Sequence, residues 1–276
     1  MPQARDGVRI GARPRGTFEL LDEIATILGT TKDSFWPFLE SVGSQIVAYK
    51  DTDKDLTSKD ATAARALESE FAPFRHPGGV YSYYLDKAGD QHLAGPVSNP
   101  THADFSFGDG SVDSVFSVGL WVRPLDVSSL HYIAKYDLAN NLREWVFFLD
   151  GSSKPALLLE DESVVGGATE VGTADTALVK GVWAFICATY DGEETAPKIL
   201  HYQNGAVDGN GATTESGLYV SMEKLTAELM IGASGDTGLP VSEFNGRIAL
   251  PFVTGKELSA TEILQLYQIG RELLGV

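Results

Sequence analysis

Apolar positions along the chain change their period near residue 78. From Thr17 they fall at helical spacing, with Phe18, Leu21, Ile24, Ala25 and Leu28 three or four residues apart. This predicts an amphipathic helix with Thr17 as N-cap and Gly29 as C-cap. The next apolar stretch, Phe35 to Tyr49, is interrupted by Pro37 and Gly43 and reads as a kinked helix or two short pieces. Lys50 to Asp60 is almost wholly polar and reads as a loop, and its DTDKD run lacks the glycine and distal glutamate of an EF-hand. A further short helix is expected over Thr57 to Phe71, closed by Pro73, Pro77 and Gly78-Gly79.

After residue 78 the pattern becomes alternating or continuously apolar over five to eight residues, with Gly, Asp, Asn and Ser clusters between. Strands are expected at Val80–Leu85, Ala103–Phe107, Phe116–Arg123, Tyr132–Tyr136, Glu144–Leu149, Ala156–Glu160, Trp183–Tyr190, Lys198–Gln203, Glu228–Gly232 and Gly246–Phe252. That many short strands predict a sandwich or barrel. The chain ends in helix: Ser259 to Glu262 reads as a capping box, and Ile263, Leu266, Tyr267 and Leu273 follow at helical spacing.

Charge divides this picture. The 276 residues carry 21 Lys and Arg against 38 Asp and Glu, a net charge of −17. Residues 1–75 hold 10 basic and 12 acidic side chains, which leaves 11 and 26 for residues 76–276. The acidity therefore belongs to the sandwich, which argues against nucleic acid or an anionic membrane as its partner. Arg5, Arg9, Arg13 and Arg15 make residues 1–16 a basic arm suited to an acidic partner. Three regions follow: arm 1–16, a helical anchoring or oligomerisation segment 17–75, and the sandwich 76–276. Cys187 is the one cysteine, so neither a disulfide framework nor a cysteine-based metal site can form. Residues 1–16 hold no apolar run of the secretory kind, so synthesis and folding in the cytoplasm are expected.

Three stretches are more specific. Phe116-Ser-Val-Gly-Leu-Trp-Val-Arg-Pro124, Trp183-Ala-Phe-Ile-Cys-Ala-Thr-Tyr-Asp-Gly192, and Phe244-Asn-Gly-Arg-Ile-Ala249 followed by Leu258-Ser-Ala-Thr-Glu-Ile263 and Leu266-Tyr267 resemble, in order and spacing, the signatures of laminin-G-like domains. Phe105 to Gly110 and His201 to Gly205 are similar to that family's opening strand and hairpin. The resemblance covers about residues 80–275. It implies a mainly β protein: a concanavalin A-like antiparallel jelly roll with an N-terminal helical extension and a short C-terminal helix. Trp121 and Trp183 are expected to place their indoles between the two sheets, and Cys187 to be a small buried residue.

The superfamily's β-glucan hydrolases carry paired carboxylates on one strand. Glu160 and Glu162 share a face here, but no Asp on that face lies between them and no third carboxylate follows. None of the five histidines lies in a catalytic signature. Calcium at a sandwich rim is a ligand the resemblance implies, with Asp109, Asp113, Asp137 and Asp236 in turn contexts as candidates. Tyr81, Tyr83, Tyr84, Tyr132 and Tyr136 are candidate glycan platforms. With no catalytic signature the expected function is non-enzymatic, and because such domains mostly work outside cells while no export signal or disulfide is seen here, release with a virus particle is the expected route. The chain would be a surface protein of a virus (phage) particle, a decoration or tail-associated module displaying its jelly roll at the virion surface. Its partners would be capsid or tail proteins, bound through Arg5, Arg9, Arg13, Arg15, Phe18 and Leu21, with host-surface glycans and further copies of itself as additional ones. The alternatives are a soluble carbohydrate-binding or adhesion module with a calcium-dependent rim site and, ranked last, a β-glycan hydrolase.

Overall fold

A computed structural model describes residues 15–29, 33–95, 103–164, 167–193, 198–209 and 213–276. Two antiparallel sheets lie face to face. The smaller has eight strands among the described residues. In spatial order it runs Ala206–Val207, Ile199–Gln203, Ala184–Tyr190, Phe116–Pro124, Gly246–Thr254, Tyr81–Leu85 and Phe74–Arg75, with Asp33–Phe35 also paired to Gly246–Thr254. The larger has twelve. Its main path runs Thr213–Ser216, Ala168–Thr173, Pro155–Asp161, Leu142–Leu149, Leu130–Asp137, Leu229–Ile231, Gln91–Gly95, Leu56–Asp60 and Gln45–Ile46.

The main core lies between the sheets, because alternate residues of each strand point inward. Val118, Leu120, Val122 and Ile186 of the smaller sheet face Tyr132, Trp145, Phe147, Leu157 and Leu159 of the larger. Trp145 anchors it, its indole N–H donating to the Phe105 carbonyl at 2.9 Å. The opposite face of the smaller sheet is covered by two helices, Thr17–Leu28 and Ala260–Leu274. Leu20, Leu21, Ile24, Ile27 and Leu28 pack there with Trp121, Phe185, Cys187, Phe252 and the C-terminal helix. Each such buried side chain contributes about 1.5–3 kcal/mol. No helix among the described residues is long and apolar enough to cross a membrane.

The C-terminal helix starts as expected, with Ser259 and Glu262 forming a reciprocal capping box. At the first helix Gly16, not Thr17, is the N-cap. The Thr17 hydroxyl instead donates to the Gly78 carbonyl at 2.6 Å, tying the helix start to the sandwich. Gly270 lets the C-terminal helix lie directly on the sheet, since a Cβ there would meet the Trp121 indole nitrogen at 2.2 Å.

Several expectations are corrected. The helices expected over 35–49 and 57–71 do not form: the described chain there is strand, loop and one helical turn, Leu67–Glu70. Trp36, Phe38 and Ile46 fill the main core instead of lining a helix face. Leu56–Asp60 pairs with Gln91–Gly95, and Phe74–Arg75 with Tyr81–Leu85. Both sheets therefore run across the boundary expected at residue 75. Ala103–Phe105 is a 3-10 turn rather than a strand. Neither Trp121 nor Trp183 lies between the sheets: Trp121 stacks on Tyr267 of the C-terminal helix, and Trp183 is half-buried against the same outer cluster. Cys187 is buried as expected.

Candidate functional site

Arg5, Arg9 and Arg13 lie outside the described residues. Arg15 does not point to a partner but pairs within the chain, with Glu23 of the first helix and with Glu272 at 2.6 Å. Leu21 is fully buried under the helix pair and cannot dock onto anything else, whereas Phe18 is 66% exposed.

The four candidate calcium aspartates fall into two separate pairs. Asp109 is an exposed turn residue whose Oδ1 accepts from the Ser111 and Val112 amides, which hold its pKa below the usual range. Asp113 is buried. Its Oδ2 accepts from the Tyr190 and Tyr219 hydroxyls at 2.8 and 2.5 Å, and its Oδ1 from Ser221 Oγ and the Met222 amide at 3.0 and 2.9 Å. Asp137 likewise accepts from the Asn140 amide and side chain and from the Thr237 and Gly238 amides. A carboxylate offers about four lone-pair sites, so in both residues the positions a cation would use are filled by protein donors. Asp236 ends the short strand Ser234–Asp236. Among the described residues no group of three or more His, Cys, Asp or Glu is placed to hold a metal ion.

Two of the five tyrosines belong to the core. Tyr83 stacks on Phe38 with ring centroids 4.2 Å apart and donates to the Glu40 carbonyl, and Tyr132 is fully buried against Phe147 and Phe244. Neither can act as a platform. Tyr81 is half-buried against the core. Tyr84 donates to Asn245 on the smaller sheet, and Tyr136 remains half-exposed on the larger one.

Tyr136 belongs to an arrangement of polar side chains on the outer side of the larger sheet, where Arg143, Glu160 and Glu162 are largely buried in their contacts with one another. On the larger sheet, the register aligns Ala94, Met230, Ala134, Val146, Leu158 and Val171 across six strands on the face turned away from the core. Among the described residues no helix covers this face. One step along the strands, Tyr136 sits opposite Arg143. The Tyr136 hydroxyl donates to Glu160 Oε2 at 2.9 Å, Arg143 Nη1 meets Glu160 Oε1 at 2.6 Å, and Arg143 Nε and Nη2 grip the two oxygens of Glu162. Burial raises the Glu160 pKa, and Tyr136 and Arg143 oppose that rise. The paired carboxylates hold the Arg143 pKa up. Gly167, at φ +73°, leaves room for this network, since a Cβ there would lie 2.6 Å from Glu160 Oε1. Behind it, Glu223 accepts from the Glu162 and Ser163 amides at 2.7 and 2.9 Å and fixes the turn. At the other end of the face, His131 and Phe148 pack edge to face at 5.8 Å.

The pairing of Glu160 and Glu162 on one face is therefore real, but a single guanidinium clamps both. The face offers hydrogen-bond donors and acceptors in fixed positions beside an apolar floor. Sequence reading found Tyr136, Glu160 and Glu162 but not Arg143, which sits a strand earlier with no local mark.

Two facing antiparallel sheets, with one outer face capped by helices and the other without a helix among the described residues, define a jelly-roll sandwich of the lectin type. A family model described as the concanavalin A-like lectin/glucanases superfamily, Laminin_G_3, matches residues 98–264, more than half of the chain, and the protein belongs to that family. A structure of the botulinum neurotoxin serotype G binding domain is similar with a TM-score of 0.54 at 14% identity, over 87% of this chain and 51% of that one. Another, of the type G receptor binding domain, gives 0.50 at 13% identity over 86% and 50%. A heptameric SAP-like pentraxin from Limulus polyphemus is more distant, with 0.41 at 14% identity over 58% and 72%. The chain spans about half the length of the toxin domains it matches. No curated protein sequence matches it.

Proposed function

We propose that the protein is a non-enzymatic carbohydrate-recognition module that binds a saccharide on the outer face of the larger sheet, beside the partly exposed Tyr136, Leu158 and Val171. The observation that carries this reading is the Tyr136–Glu160–Arg143–Glu162 network, preorganised on the outer sheet face without a helical cover. Its donors and acceptors are fixed before binding, which lowers the ordering cost of recognising hydroxyl groups. The neighbouring apolar row of Leu158 and Val171 suits the C–H side of a sugar ring. The clamp on both glutamates argues against a hydrolase, since a retaining pair needs one carboxyl free to give its proton and one free to attack.

Screening on a glycan array, followed by titration of the best ligand, tests this. Arg143→Ala is expected to weaken binding at least about tenfold, the loss of one charge-assisted contact, with the far-UV spectrum unchanged. Unaltered affinity in a folded Arg143→Ala protein would sink the proposal.

The charge distribution favours a second reading, display on a virus particle with residues 1–16 as tether. Arg5, Arg9 and Arg13 precede a sandwich that carries nearly all of the chain's net negative charge. Arms of one sign ahead of a body of the other act as docking segments. Deletion of residues 1–16 is then expected to abolish co-sedimentation with particles, and unchanged co-sedimentation would remove this reading.

A further inference from the structure

The smaller sheet carries a second polar cluster, on its helix-covered face beside the C-terminal end of the last helix. There the antiparallel register sets Tyr84 next to Arg247 and Arg247 next to Arg123. Like charges directly opposite one another on a sheet face repel. In a chain with 38 acidic and 21 basic residues, a carboxylate would ordinarily relieve them. Yet among the described residues neither arginine forms an ion pair.

Both guanidiniums are nevertheless held in place. Arg247 Nη1 donates to the Ala72 and Ser82 carbonyls at 3.0 and 3.4 Å, and Arg123 Nε to the Gly181 carbonyl at 2.7 Å. The Arg247 guanidinium carbon lies 5.7 Å from the Phe74 ring and 6.0 Å from the Tyr84 ring. His76, bonded to Ser82 and to the Leu274 carbonyl, touches Phe74 on one side and Trp183 on the other, at 5.0 and 5.8 Å. The remaining donors of Arg123 and Arg247 have no protein acceptor among the described residues. Burial and the neighbouring Arg123 push the Arg247 pKa down, the signature of a cation kept without its counter-ion. Tyr84, Arg247, Arg123 and Trp183 sit on four adjacent strands or their ends, a row about 14 Å long at the usual strand spacing.

We propose that this row binds a carboxylate-bearing saccharide. The planar forks of Arg123 and Arg247 take the carboxylate, for which guanidinium geometry is matched. The Phe74 and Trp183 rings take the C–H faces of the sugars. The strongly negative sandwich disfavours a densely charged polyanion such as nucleic acid, and it makes copies of the chain repel one another. A sparsely charged glycan with apolar ring faces avoids both penalties. This site lies on the opposite side of the molecule from Arg143 and does not depend on the reading given for that face.

Calorimetric titration with a disaccharide carrying a single uronate and with sialyllactose, and with lactose as neutral control, tests it and tells uronate from sialate. At least one acidic probe is expected to bind the full chain about tenfold or more tighter than lactose and to weaken as salt is added. Arg123→Ala is expected to lose that advantage, and Arg247→Lys to lose most of it, because the ammonium keeps the charge but not the fork. Arg123 is exposed and its removal relieves repulsion, so the variant should fold. No binding of either acidic probe to the wild-type chain would overturn the proposal, as would full affinity in folded Arg123→Ala. A dimer in sedimentation that Arg123→Ala disperses would also overturn it, by making this face a contact between copies.

Discussion

Replacing Lys135 by methionine is expected to destabilise the fold by about 3–5 kcal/mol, the cost of breaking a buried ion pair from one side. Lys135 and Glu144 are both fully buried, and their Nζ and Oε1 lie 2.5 Å apart. The ammonium also donates to the Leu225 carbonyl at 2.6 Å, and the same carboxylate oxygen accepts from the Leu225 amide at 2.8 Å and from Ser106 Oγ at 3.2 Å. The pair thereby fastens the segment around Leu225 to the larger sheet. Burial alone pushes the lysine pKa down and the glutamate pKa up, and each partner's charge opposes that shift in the other. In Lys135→Met the carboxylate keeps its desolvation penalty without its cation, and Oε2 already lacks a partner. The double variant Lys135→Met/Glu144→Leu is expected to recover most of the loss, since a buried pair exchanged for apolar groups of similar volume is often neutral. Urea midpoints for the wild type and the two variants measure both effects. An unchanged midpoint in the single variant, or no recovery in the double, would show that the pair does not act as described.

Asp113→Ala is expected to cost about 3–4 kcal/mol, because of its four buried donors the Tyr219 hydroxyl and the Met222 amide lose their acceptor at about 1–3 kcal/mol each, while Tyr190 and Ser221 keep the Glu193 and Met222 carbonyls. Two of these donors are tyrosine hydroxyls, from Tyr190 and Tyr219, and two come from Ser221 and Met222, a hundred residues away in sequence. If those donors rather than a cation satisfy the carboxylate, adding EDTA should leave the wild-type melting temperature where it was. A large fall of that temperature in EDTA would restore calcium as the ligand of this aspartate. The thermal scan therefore separates the two accounts of the same residue.

The strands were legible where apolar residues run continuously or alternate over five or more positions. They were not where the inward residue is polar: Leu56–Asp60 carries Ser58 at a buried position, satisfied by the Arg65 carbonyl at 2.6 Å, and so looked like loop. Phe116–Pro124 shows a different limit. Period 2 assigns alternate residues to opposite faces, but this strand is buried on both, so nothing local told which face lies between the sheets. Trp121 went to the helix side and the Val118–Leu120–Val122 row to the core. The capping box at Ser259 was legible because its two partners are three residues apart. The environments of Asp113 and Glu160 were not, because their partners arrive through pairing of distant strands. A turn aspartate surrounded by protein donors and one awaiting a metal look the same along the sequence.

The two ends of the described chain meet on one side of the molecule. Arg15 reaches Glu272, Thr17 holds the Gly78 carbonyl, and the Gly78 amide donates to the Leu273 carbonyl at 2.9 Å. Residues 15 and 276 therefore both lie on the helix side of the sandwich. A support holding that side would turn the Arg143 face toward whatever approaches. Many copies mounted this way would present a carpet of parallel open sheets, and weak single contacts there would add up through multivalency.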